Sequence, residues 1–185
     1  MSAAVGGAQA LLLGEGPGRF LIELLRRDPS VCVTCVEQSP AMILQAKRQV
    51  RRYGLDSSRI EFCQTDALKW NPAGQVYDII VTHFFLDCFR PEELHALVAK
   101  VGTSARADAR WLVGDFCIPE CGWRRKRARA IHAAMYAFFR AVTGLSAKQV
   151  TPPDDALNAV GFRLVSRRHF NFGLLHSDLW VKQNS

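Results

Sequence analysis

A chain of 185 residues fits one domain of ordinary size and leaves no room for two substantial ones. With 49% hydrophobic and 22% charged residues, it has the composition of a chain that buries a core, which excludes disordered and fibrous architectures. No window approaches ~18 uninterrupted apolar residues, so no transmembrane segment is expected. The start, MSAAVGGAQALLLGEG, has no basic region before its apolar stretch; a secretory signal is not expected, and a cytoplasmic location is.

Short β-rich apolar runs alternate with helical segments. Gln9–Leu13 reads as a strand, followed by a helix from Arg19 to about Arg27. Val31–Glu37 is followed by a helix from Pro40 to about Tyr53, and Arg59–Cys63 by a loop. Tyr77–Thr82 precedes a helix from Pro91 to about Val101, and Ala109–Phe116 is the fifth strand. Strands apolar on both faces, separated by helices, indicate a parallel sheet covered on both sides, an α/β class. Next, Trp123-Arg124-Arg125-Lys126-Arg127-Ala128-Arg129 concentrates the excess behind a net charge of +7. Ile131, Met135, Phe138, Phe139 and Val142 recur at helical spacing, so this cluster opens an amphipathic helix that Gly144 closes. Its basic end reads first as a solvated surface. The second reading is weak contact of Arg124 to Arg129 with an anionic surface. No motif that reads DNA or RNA accompanies it, so no specific nucleic-acid partner is expected. Asp154 and Asp155 cap a short helix through Ala159, which Gly161 ends, and Phe162–Phe170 and Phe172–Lys182 form an antiparallel hairpin turning near Asn171-Gly173.

The cysteines read as small buried hydrophobes. Cys32 and Cys35 lie in a strand whose period of two sends them to opposite faces. Cys117 and Cys121 lack a second pair at ligand spacing, and Cys63 and Cys88 are isolated, so no metal site is expected.

The strongest local signal is Gly14-Glu15-Gly16-Pro17-Gly18, set between the first strand and its helix. Alternate glycines let the backbone approach a ligand and expose amides at a helix N-terminus. A dinucleotide loop would have a further glycine at position 19, which is Arg19. Glu37, with Gln38 beside it, ends the second strand, where a carboxylate can accept both hydroxyls of a ribose. Asp66 and Ala67 follow the third strand; an acid there can accept an adenine amino hydrogen.

With these stations in register, the chain resembles the class I S-adenosylmethionine-dependent methyltransferases. Their glycine loop appears as Gly14-Glu15-Gly16-Pro17-Gly18, their ribose acid as Glu37 and their adenine-side acid as Asp66. The resemblance implies a Rossmann-like, seven-stranded, mostly parallel sheet of order 3-2-1-4-5-7-6, the seventh strand antiparallel. It also implies a single methyltransferase domain over 1–185 that binds S-adenosylmethionine through Gly14, Glu15, Gly16, Gly18, Glu37, Gln38, Asp66, Ala67 and Thr82, and a small methyl acceptor; where His132, Met135, Tyr136 and Phe139 of the basic amphipathic helix face the site, that acceptor is apolar or aromatic. His83, at the end of the fourth strand, is the nearest candidate base, with Asp87 to orient it or bind substrate; the alternative is that His83 only lines the pocket. Two features depart from the family. Leu12 stands where an acid usually precedes the first glycine, and only Met1 to Ala8 precede the first strand, so the usual N-terminal cap helices are expected to be short or missing. The competing readings are a nicotinamide-dependent oxidoreductase and a cofactor-binding accessory domain without catalysis.

Overall fold

The computed structural model describes residues 7–119, 122–123, 125–132 and 151–183. In chain order the elements are β1 (Gln9–Leu13), α1 (Arg19–Arg27), β2 (Cys32–Glu37), α2 (Pro40–Arg52), β3 (Ile60–Gln64), β4 (Tyr77–His83), α3 (Pro91–Gly102), β5 (Ala105–Phe116), α4 (Asp154–Ala159), β6 (Phe162–Phe170) and β7 (Leu175–Lys182). The strands form one seven-stranded sheet of order β3-β2-β1-β4-β5-β7-β6. It is parallel from β3 to β5, and β7 runs antiparallel to both β5 and β6. This is the expected fold class.

Alternation along each strand divides the core in two. Ala10, Leu12, Val33, Cys35 and Val81 face Leu21, Ile22, Leu25 and Val50 of α1 and α2. Leu11, Leu13, Val36, Ile80, Trp111 and Trp180 face Leu94, Leu97, Val101 and Leu157 of α3 and α4. Cys35 is buried and Cys32 half-buried, and the five described cysteines are free. Cys121 lies outside the described residues. Among the described residues no group of histidines, cysteines or acids could hold a metal ion, and no helix is long and apolar enough to cross a membrane.

Local chemistry explains where elements start and stop. Ser39 caps α2 by accepting the Met42 amide, and Pro40 occupies the first turn, where its missing N–H costs nothing. The hairpin turns through Asn171, Phe172 and Gly173, all at positive φ. Strand β5 starts at Ala105, four residues before the expected Ala109. Its first residues are largely exposed and carry no apolar signal; they are held by pairing of Ala105 with Tyr77 and by an Arg106–Asp78 ion pair at 3.2 Å, with a register shift before Arg110. In the basic segment, residues 122–123 and 125–132 are helical. The expected continuation through Met135, Phe139 and Val142 to Gly144 lies outside the described residues, as does Arg124.

Candidate active site

The glycine loop turns on positive backbone angles: φ is 66° at Gly14, 63° at Gly16 and 86° at Gly18. A Cβ at Gly14 would lie 2.1 Å from the Phe85 ring, whereas one at Gly16 would meet nothing within 4 Å. The loop is therefore closed underneath and open where a ligand could approach. Gly18 is the N-cap of α1 and has no side chain to satisfy the first amides. Glu15 does so instead, its Oε1 accepting from Phe20 N at 2.8 Å and Leu21 N at 3.0 Å. Burial, opposed by those amides and reinforced by Glu37, pushes the Glu15 carboxyl up to about 7. Leu12 is fully buried against α1 and does not reach the loop surface.

Glu37 closes the loop from the neighbouring strand. Its Oε2 accepts the Gly16 amide at 3.1 Å and its Oε1 the Ser39 amide at 2.8 Å. Two backbone donors fix a half-buried carboxylate whose oxygens retain lone pairs for further donors. Gln38 is exposed next to it. Asp66 Oδ1 accepts from Leu68 N at 2.9 Å, closing a turn that leaves Ala67 buried. Lys100 of α3 clamps this turn from below, donating to the Ala67 and Leu68 carbonyls at 2.9 and 2.7 Å; nothing in its local sequence marks it for that role. Thr82 is fully buried, and its hydroxyl accepts the Trp111 indole N–H at 3.0 Å, so only its backbone is available to a ligand.

The carboxyl ends of β4 and β5 separate the two expected catalytic residues. His83 points to the α1 side, its ring edge-to-face with Phe20 at 4.8 Å and against Gly114, and burial lowers its pKa. Asp87 is buried beside Asp115, which shares the opposite sheet face with Trp111 and Val113. The strand ends at His83, Phe84 takes a φ of 52°, and a 3-10 turn over Leu86–Cys88 carries Asp87 away. The two residues thus lie on opposite faces of the sheet. Asp115 Oδ1 instead accepts the Phe85 amide at 3.0 Å. Burial first, and the Asp87 carboxyl second, hold Asp115 well above the usual carboxylate range. Above it, Phe84, Phe116 and His132 form an aromatic ladder with ring centroids 5.3 Å apart at each step. Among the described residues neither buried His132 ring nitrogen has a hydrogen-bond partner, and burial lowers the imidazole pKa.

The sequence profile of the family described as a methyltransferase domain matches residues 10–108, more than half of the chain. The chain belongs to the class I S-adenosylmethionine-dependent methyltransferase family. The matched methyltransferase segment runs from β1 into β5 and contains the glycine loop, Glu37 and Asp66. A curated relative, the carboxy-S-adenosyl-L-methionine synthase of Nautilia profundicola, is 27% identical over 148 residues, covering 80% of this chain and 59% of that protein. The fold is shared with an O-methyltransferase family 2 protein from Planctomyces limnophilus solved with apigenin, at a TM-score of 0.74 and 16% identity, covering 97% of this chain and 51% of that one. It is also shared with the N-methyltransferase NodS from Bradyrhizobium japonicum solved with S-adenosyl-L-homocysteine, at a TM-score of 0.67 and 14% identity, covering 96% and 79%. The chain thus spans about three-fifths of that curated relative and about half of the first of these solved structures.

Proposed function

We propose that the chain is a single methyltransferase domain that binds S-adenosylmethionine and positions a small-molecule acceptor for methyl transfer. The observation that carries the reading is the Glu37 carboxylate, fixed by the Gly16 and Ser39 amides beside an open glycine. A carboxylate so held is ready to accept a vicinal diol without reorganising. In this reading Gly14, Glu15, Gly16 and Gly18 line the amino-acid side of the cofactor, and Glu37 and Gln38 the ribose. Asp66 and Ala67 meet the adenine, and Thr82 contributes backbone only. S-adenosylmethionine, when bound, supplies a methyl group on a sulfonium centre. The chain's own part is to align the acceptor and exclude water. His83, kept neutral by burial, sits where it could take a proton at a ring nitrogen. Asp87 acts with Asp115 in holding the turn after β4, a positioning role.

Calorimetric titration with S-adenosylhomocysteine and with NADH tests this. Binding of the former and not the latter is expected; binding of NADH alone would move the chain to the oxidoreductase reading. A second reading, formation of a modified S-adenosylmethionine rather than methylation of an acceptor, is favoured by the synthase relative. Mass analysis of the nucleoside product separates the two: S-adenosylhomocysteine accumulates in methyl transfer, and a heavier sulfonium in the other.

A further inference from the structure

The chain's positive charge gathers beside the β6–β7 turn. Residues 122–132 and 162–173 hold eight of its 24 lysines and arginines and none of its 17 acids, so they account for the net charge of +7. Side chains join these two segments. Arg127 donates to the Asn171 carbonyl and to its side-chain oxygen at 3.3 Å each, and its guanidinium lies 5.7 Å from the Phe172 ring centroid. Trp123 meets the same ring at a centroid distance of 5.9 Å. At ~100° per residue, the buried Ala128 and His132 mark the inner side of this helix. Trp123, Lys126 and Arg127 then fall on its outer side, with Arg129 at the margin. The turn stands on the carboxyl rim of the sheet, because Leu175 at the start of β7 pairs with Phe116 at the end of β5.

Core packing does not account for the apolar residues here. Trp123, Phe170 and Phe172 are 60%, 51% and 61% exposed. Phe172 holds its place with a left-handed backbone, φ 58° and ψ 32°, which a bulky residue adopts at a cost and asparagine or glycine adopts more readily. A strained turn thus presents a large ring to solvent, next to a run of cations. Aromatic rings set among lysines and arginines suit the boundary of an anionic bilayer, where the rings enter the headgroup layer and the cations meet phosphate. A nucleic acid fits less well. The Arg127 guanidinium covers a face of Phe172 on which a base would stack, and no base-reading motif accompanies the charge. Arg167 of β6 is engaged by Asp154 and Asp178 and takes no part.

We propose that this corner docks the domain on an anionic membrane surface, with Trp123 and Phe172 entering the headgroup layer and Lys126, Arg127 and Arg129 facing lipid phosphates. Docking needs no cofactor, so its failure would leave the methyltransferase reading untouched. The chain carries its own probe: Trp70, Trp111 and Trp180 are buried, whereas Trp123 is exposed. Vesicles of phosphatidylcholine mixed with phosphatidylglycerol should shift the tryptophan emission of the full chain to the blue, and brominated acyl chains should quench it. Vesicles of phosphatidylcholine alone should do neither, and Trp123→Phe should remove the response. In vesicle sedimentation, Lys126→Gln combined with Arg129→Gln, both at exposed positions, should weaken binding about fivefold for each charge removed. Phe172→Asn, which suits the left-handed turn, should weaken it about tenfold. If Phe172→Asn does not fold, the charge variant decides. No response to the anionic vesicles, an equal response to neutral ones, or unchanged binding by the charge variant overturns the proposal. Displacement of the chain from anionic vesicles by polyuridylate at matched phosphate concentration would also overturn it, assigning the corner to a nucleic acid.

Discussion

The two ends of the sheet's carboxyl rim are built from different materials. Around β1 and β2 the candidate site is backbone: three glycines at positive φ and amides of Gly16 and Ser39 aimed at one carboxylate. Around β5, β6 and β7 it is side chain: Asp154, Arg167, His176 and Asp178, brought from separate elements onto one corner. The backbone-built end depends on conformation that only particular residues can adopt. The side-chain-built end depends on Asp178, Arg167 and Asp154 answering one another's charge. The first should fail locally and in ligand binding, the second globally and in stability.

The largest effect should fall on the side-chain end. Arg167→Ala leaves Asp178, fully buried, without the guanidinium that answers its charge, and should lower unfolding free energy by roughly 3–5 kcal/mol in urea melts. Affinity for S-adenosylhomocysteine should be unchanged in whatever fraction remains folded. A loss of affinity with unchanged stability would erase the contrast between the two ends.

Glu15 lets the backbone end show a pH signature. Its folded pKa, about 7, lies above the ordinary 4.5, so the folded state holds the proton more tightly than the unfolded state. Its favourable contribution is complete below about 4.5 and is lost as pH rises to about 7, at most about 3 kcal/mol. Glu15→Gln keeps an acceptor for the Phe20 and Leu21 amides but cannot ionise. The difference between native and variant stabilities should therefore grow from pH 4.5 to 7 in favour of the variant and then level off. A flat difference would remove Glu15 from its buried position.

The glycines sharpen the comparison further. At Gly14 an added Cβ would strike the Phe85 ring at 2.1 Å, while at Gly16 it meets only its own strained φ of 63°. Gly14→Ala should cost about 2–3 kcal/mol in thermal or urea unfolding, Gly16→Ala about 1. Equal costs would mean that the loop does not rest on Phe85. The smallest effect is expected at Asp66, whose Oδ1 is already used by Leu68 N. Asp66→Ala should weaken S-adenosylhomocysteine by tenfold or less.

The same contrast governs what could be read from the sequence. The elements around β1 and β2 announce themselves through local patterns: glycines at alternate positions, Pro40 opening a helix, apolar strands of the right length. The sheet order followed from a resemblance that three such stations carried. What escaped depends on contacts between distant segments. Asp115 and His176 stand opposite each other only because β5 and β7 pair in that register. Lys100 clamps the Asp66 turn only because α3 passes beneath it. His83 and Asp87 look adjacent in sequence, yet the left-handed Phe84 and the turn after it send them to opposite sides of the sheet. The early start of β5 escaped because residues held by backbone pairing and an exposed ion pair leave no hydrophobic period.

The central claim is that Glu37 is a preformed ribose acceptor, and the most direct test is calorimetric titration of native and Glu37→Ala chains with S-adenosylhomocysteine, alongside urea melts of both. Charge-assisted hydrogen bonds contribute roughly 1.5–3 kcal/mol each, so the variant should bind about tenfold to several hundredfold more weakly while remaining folded. Equal affinity in a folded Glu37→Ala chain would contradict the account.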